Sequence, residues 1–137
     1  MVVASPYVQY KQVLLNSSTR EDLVILAYEG ALKFLNKSMD GFDNRDFEKI
    51  NYYILKTHAI ISELIVSLNF EVGGEIAINL YRVYEYMNYR LGVANIKKDP
   101  KPVKEIIGLL DLLKDAWLIA RGKVYTDGEY SRNSQLH

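Results

Sequence analysis

Gly73-Gly74-Glu75-Ile76-Ala77-Ile78-Asn79-Leu80-Tyr81-Arg82-Val83-Tyr84-Glu85-Tyr86-Met87-Asn88-Tyr89-Arg90-Leu91-Gly92-Val93-Ala94-Asn95 is the stretch that decides the fold of this 137-residue chain. Beyond the two glycines, Ile76, Leu80, Val83/Tyr84, Met87, Leu91 and Ala94 recur at the i, i+3, i+4 spacing that lines one side of an α-helix. That stripe is predicted to be core. A second set, Tyr86, Tyr89, Val93 and Ile96, lies a quarter-turn or more away, and Tyr81 adds a further aromatic position. A small bundle needs one buried face per helix, so the surplus apolar and tyrosyl surface is suited to binding another chain. Self-association would leave the same mark.

The flanking segments carry the same period. On the N-terminal side a helix is expected from about Asn44, which can cap it, to Asn69. Its core stripe is Phe47, Ile50, Ile54, Ile61, Leu64/Ile65 and Leu68, and Tyr52, Leu55, Ala59 and Val66 form a second one. An earlier helix starts near Ser18 or Thr19, where Ser18 and Glu21 have capping-box spacing and Glu21 and Asp22 suit the positive end of the helix dipole. Its repeating face is Leu23, Leu26/Ala27, Gly30/Ala31 and Phe34, and Asp40-Gly41 is the expected stop. The last helix opens at Asp99-Pro100 or near Pro102, since a first-turn proline sacrifices no helical hydrogen bond. It presents Val103, Ile107, Leu110 and Trp117, widened by Ile106, Leu109, Leu113 and Ala120, and is expected to end at Gly122.

No segment alternates with period two. Four amphipathic helices with short links predict an all-α fold, an antiparallel four-helix bundle. Residues 1–17 read as an extended N-terminal arm, because Pro6 biases Ser5 away from helix and Asn16-Ser17-Ser18 is loop chemistry. The bundle then covers 18–121, and 122–137 reads as a loose, flexible polar C-terminal tail.

Composition narrows the function classes. The chain is 49% hydrophobic and 25% charged, a globular balance, and its formal net charge is zero. With no basic run interleaved with aromatics, nucleic acid and anionic lipid are not indicated as partners. There is no cysteine, which excludes disulfides and thiolate metal sites and fits a reducing cytoplasm. The opening segment lacks the blocks of a signal peptide, and no apolar run approaches the roughly 18 residues of a membrane span.

Chemistry is sparse. Only His58 and His137 could supply imidazole, and the sequence has no zinc-binding H-E-x-x-H, no paired Glu-x-x-His, no P-loop and no nucleophile elbow. A catalytic site, a metal and a cofactor are therefore not expected. His58 on a four-helix bundle could be a phosphotransfer site, but the run His58-Ala59-Ile60-Ile61-Ser62-Glu63 lacks the Lys and Gly usual in such modules. A half-buried packing histidine is the preferred reading.

At this point the chain resembles the FliS family of flagellar export chaperones, from about Tyr7 to Ala120. Ser5-Pro6-Tyr7-Val8-Gln9-Tyr10 is similar to the family's N-P-Y-x-x-Y arm, and Glu21 through Leu35 resembles E-E-L-V-x-M-L-Y-D-G-A-L-x-F-L. Ile60 to Asn69, Gly73 to Asn95 and Leu113-Lys114-Asp115-Ala116-Trp117 match three further blocks. Each fragment is weakly specific alone; five in order at the right spacing are strong. Ala27 departs from the family's Leu, and Asn88 and Tyr89 stand where other members often carry charged or polar residues.

The resemblance implies a non-enzymatic cytoplasmic chaperone. Its implied partners are the C-terminal segment of flagellin, which wraps the bundle as short helices, and the export-gate protein FlhA. It also implies that the N-terminal arm covers part of a groove until the client displaces it. The expected client-binding residues are Tyr7, Tyr10, Tyr52, Leu55, Ala59, Val66, Tyr81, Tyr86, Tyr89 and Val93. The alternative is a self-associating bundle, a homodimer when free, with no flagellin client.

Overall fold

The computed structural model describes residues 19–127, the side chains of 123–127 excepted, and these residues form four helices. They are α1 (Arg20–Asp43), α2 (Phe47–Val66), α3 (Phe70–Lys97) and α4 (Pro100–Asp127). Residues 44–46, 67–69 and 98–99 are the only links, too short for anything but antiparallel neighbours. Each helix packs on the next, and α4 returns to pack on α1, which closes the ring of an up-down-up-down bundle. The expected all-α four-helix architecture is the observed one.

Local chemistry sets the helix ends. Thr19 is the N-cap of α1: the Asp22 N–H donates to its Oγ1 at 3.2 Å, and the Thr19 N–H donates back to Asp22 Oδ2 at 3.5 Å. The capping box therefore pairs Thr19 with Asp22, and Ser18 lies outside the described residues. Gly41 does not stop α1, which runs on to Asp43. A Cβ at Gly41 would stand 3.0 Å from Ile50 Cγ1, 3.1 Å from Ile50 N and 3.2 Å from Asp46 O, so glycine lets α2 turn closely back against α1. Asp46, not Asn44, caps α2 by accepting from the Lys49 N–H at 3.1 Å, and Asn44 instead closes the end of α1 by donating to Asp40 O.

The third helix begins earlier than the double glycine suggests. Asn69 caps it by accepting from the Val72 N–H, and Phe70 to Gly73 form an opening turn. Gly74, at φ 52° and ψ −123°, then kinks the helix in a conformation that glycine adopts without steric cost. The first-turn acid is Glu71. At the far end Lys98 ends α3 in the left-handed region, its N–H donating to Ala94 O. Pro100 opens α4, which continues through Gly122 to Asp127, so Gly122 is not the helix end.

The core runs the length of the bundle. α1 contributes Val24, Tyr28, Ala31 and Leu35; α2 contributes Ile50, Ile54, Ile61 and Leu64; α3 contributes Ala77, Leu80, Tyr84, Met87, Leu91 and Ala94; α4 contributes Val103, Ile106, Leu110 and Trp117. Fully burying side chains of this size contributes about 1.5–3 kcal/mol each. The α1 face is turned relative to expectation, with Leu23 and Phe34 only half-buried. Two other expected core positions are exposed, Phe47 because it opens α2 and Ile76 for a geometric reason. Ile76 and Ala94 share one angular position on α3 at about 100° per residue. That flank hides the small alanine and leaves Ile76 half outside.

At the centre, Tyr28 and Tyr84 are fully buried and their hydroxyls are 2.6 Å apart. Tyr28 also bonds the Trp117 side chain. Indole can only donate, so Trp117 gives its N–H to Tyr28. Burial pushes the Tyr28 phenol up to about 12 despite both hydrogen bonds, and it raises Tyr84 further still. Three helices, α1, α3 and α4, are tied through this one polar chain.

Candidate binding surface

Along α2, Asn51, His58 and Ser62 face α3. Asn95 donates from Nδ2 to Asn51 Oδ1 at 2.8 Å, His58 Nδ1 lies 2.9 Å from Asn88 Oδ1, and Asn88 Nδ2 reaches Ser62 Oγ at 3.5 Å. Asn51 and His58 are seven residues apart, as are Asn88 and Asn95, so two turns of each helix are stitched by amides and one imidazole. This polar line is the seam between the two helices on the outside of the bundle.

Apolar side chains flank the seam. On α2, Tyr52, Leu55, Ala59 and Val66 follow one another at intervals of three, four and seven, all exposed. On α3, Ile78, Tyr81, Glu85, Tyr89, Gly92 and Ile96 form the matching strip at intervals of three and four, and all but the half-buried Gly92 are exposed. Tyr81 packs edge-on to Phe70 at 6.1 Å, and the Lys56 ammonium sits over the Tyr52 ring at 5.3 Å. Val66 is 85% exposed and Tyr89 67%, values that no folding requirement explains. A hollow lined by Glu48, Asn51, Tyr52, Leu55, Lys56 and Ala59 opens on the α2 side. A Cβ at Gly92 would meet nothing within 4 Å, which leaves the α3 backbone approachable there.

Six of the expected binding residues thus share one face: Tyr52, Leu55, Ala59, Val66, Tyr81 and Tyr89. Tyr86 and Val93 do not join them. Val93 is half-buried, and Tyr86 reaches α4, where its hydroxyl donates to Glu105 Oε2 at 2.5 Å and Arg90 Nε donates to Glu105 Oε1 at 2.9 Å. These bonds hold the exposed Glu105 carboxyl below the usual carboxylate range and raise the Tyr86 phenol. Tyr7 and Tyr10 lie outside the described residues. Residues the sequence reading passed over are Phe70, Val72, Ile78, Leu112 and Ile119, all large, apolar and exposed. Leu112 and Ile119 are seven apart on α4, a signal that was legible but masked by the stronger core stripe beside it.

Among the described residues no group of three or more His, Asp or Glu is placed to hold a metal ion, and no described helix is long and apolar enough to cross a membrane. The fold and surface together define a helical-bundle protein built to display a long apolar face with a polar midline. The family model described as "Flagellar protein FliS" matches residues 3–123. The chain is 34% identical over 117 residues to the flagellar secretion chaperone FliS of Bacillus subtilis, covering 85% of this chain and 86% of that protein. It is 32% identical to its counterparts in Campylobacter jejuni and Salmonella typhimurium, covering 81% and 85% of this chain and 87% and 90% of theirs. The chain belongs to the FliS family of flagellar secretion chaperones.

Proposed function

We propose that this chain is a cytoplasmic chaperone for flagellin. It binds the C-terminal segment of flagellin, prevents premature polymerisation and hands the client to the type III export gate, with FlhA as the docking partner. The observation that carries this reading is the exposed apolar face on α2 and α3, Tyr52, Leu55, Ala59 and Val66 beside Tyr81 and Tyr89 across the polar seam. An amphipathic helix laid on such a strip buries the apolar face that flagellin would otherwise use to pack with its neighbours. The reaction needs no bond chemistry: the client is disordered when free, so the cost of ordering it tempers the affinity and permits release. Tyr7 and Tyr10 on the N-terminal arm act by competing for the strip, which lowers the apparent client affinity.

Isothermal calorimetry of the full chain with the flagellin C-terminal segment tests this. A one-to-one complex at micromolar concentration or tighter, formed without ATP, is expected. Absence of heat at those concentrations rejects it. If sedimentation instead finds a dimer that the segment neither joins nor dissociates, the strip serves self-association.

A further inference from the structure

We infer that His58 is a specificity-determining residue of the client groove, its Nε2 accepting one hydrogen bond from a Ser, Thr, Asn or Gln side chain on the otherwise apolar face of the client. This rests on the flagellin-binding reading above.

The tautomer follows from the partners. Asn88 Oδ1 can only accept, so the ring nitrogen 2.9 Å from it must donate, and His58 carries its proton on Nδ1. The Asn88 amide is oriented in turn by Ser62, whose Oγ its Nδ2 approaches at 3.5 Å. With Nδ1 committed, the neutral ring presents Nε2 as a lone-pair acceptor. That atom has no hydrogen-bond partner among the described residues.

The placement makes the acceptor consequential. His58 is half-buried at the seam, with Leu55 one turn before it, Ala59 beside it and Tyr89 adjacent to its partner Asn88 on α3. Elsewhere on the seam the amide oxygens are taken: Asn51 Oδ1 accepts from Asn95, and Asn95 Oδ1 accepts from Lys98 Nζ. His58 thus stands at the seam between two apolar walls with one acceptor left over. A helix lying across it with a leucine at that level would strip water from Nε2 and return nothing, whereas a hydroxyl or amide donor at that level would satisfy it. One polar position in an apolar contact is an effective way to fix register, because every slipped alignment leaves it unsatisfied. Asn88 is a positioning residue, acting through the tautomer it imposes.

The test uses the full chain and a peptide of the flagellin C-terminal segment in calorimetry, with His58→Phe, His58→Gln and Tyr89→Ala, plus alanine replacement of each Ser, Thr, Asn and Gln in the peptide. His58→Phe is expected to weaken binding about 5- to 30-fold, although it makes the groove more apolar. His58→Gln sets an amide where Nε2 stood and should stay within about threefold. One peptide substitution should weaken binding to the wild type and cost nothing further on His58→Phe. Nitrogen NMR should report the Nδ1–H tautomer in the free protein and its loss in Asn88→Ala. If His58→Phe binds equally or more tightly, the inference is wrong while the groove stands on the Tyr89→Ala loss. If His58→Phe fails to fold, the peptide scan on wild type decides, and no position costing more than twofold overturns the inference. Absence of any wild-type complex overturns the flagellin reading along with it.

Discussion

Replacing Tyr28 by Phe removes a single oxygen from the centre of the bundle and breaks two bonds. The Trp117 N–H loses the acceptor it donates to, and the Tyr84 hydroxyl loses its contact at 2.6 Å. Both sites are closed to water, since Tyr28 and Tyr84 are fully buried and Trp117 is 9% exposed. A lost buried bond costs about 1–1.5 kcal/mol, so Tyr28→Phe should cost about 2–3 kcal/mol. Tyr84→Phe breaks the same shared bond and leaves Tyr28 attached to Trp117, so the loss of that bond should cost about 1–1.5 kcal/mol. The double variant should cost about 1 kcal/mol less than the sum, because the Tyr–Tyr bond is counted in both single variants. For a domain of this size 1 kcal/mol moves the melting temperature by roughly 3–5 °C, so calorimetric or circular-dichroism melting resolves all three variants. Strict additivity of the two single variants would refute the shared bond between Tyr28 and Tyr84. Client affinity should not change, because none of these atoms reaches the α2–α3 face.

The same pair predicts alkaline unfolding. The folded phenols titrate above the ordinary value of 10.0, so their contribution is complete below pH 10 and is lost as pH rises toward 12, at about 1.4 kcal/mol per unit for Tyr28; urea midpoints taken from pH 9 to pH 11.5 should fall accordingly. Gly41→Ala should destabilise by about 1–3 kcal/mol, because the new Cβ meets the backbone of Asp46 and Ile50, and a melting temperature equal to wild type would contradict that close approach. Glu21 is buried with neither carboxylate oxygen hydrogen-bonded among the described residues, so Glu21→Met should hold or raise stability, by up to about 2 kcal/mol, despite giving up the favourable helix-dipole position; a clear loss would mean that the carboxylate has a stabilising role. On the outer face, Leu55→Ala and Tyr89→Ala should each weaken flagellin binding about 5- to 30-fold while shifting stability by less than about 0.5 kcal/mol. Tyr10→Ala should alter client affinity with the bundle still folded, and a large drop in melting temperature would instead make Tyr10 a core residue.

Much of the bundle was legible because helix periodicity is a local property. Leu80, Tyr84, Met87, Leu91 and Ala94 were read as core and are buried, and Ile50, Ile54, Ile61 and Leu64 likewise. The misreadings fall where local rules compete. Thr19 and Ser18 are both good caps with an acid three residues on, and only the backbone geometry chooses between them. Gly41 looks like a stop and is instead a contact surface for α2, while Gly122 is simply passed through. The surplus stripes were visible as well, yet Tyr86 and Val93 could not be separated from Tyr89 by spacing alone.

Four helices, their antiparallel order and an excess of apolar surface were written in the sequence, because amphipathic spacing and short links allow few other arrangements. Which surplus residues gather on one face was decided only in three dimensions. The pairing of Asn51 with Asn95 and of His58 with Asn88 sets the register of α2 against α3, and that register assembles Leu55, Val66, Tyr81 and Tyr89 while turning Tyr86 toward Glu105. Contacts between residues 30 to 56 positions apart leave no local trace, and the buried Tyr28–Tyr84 bond is of the same kind.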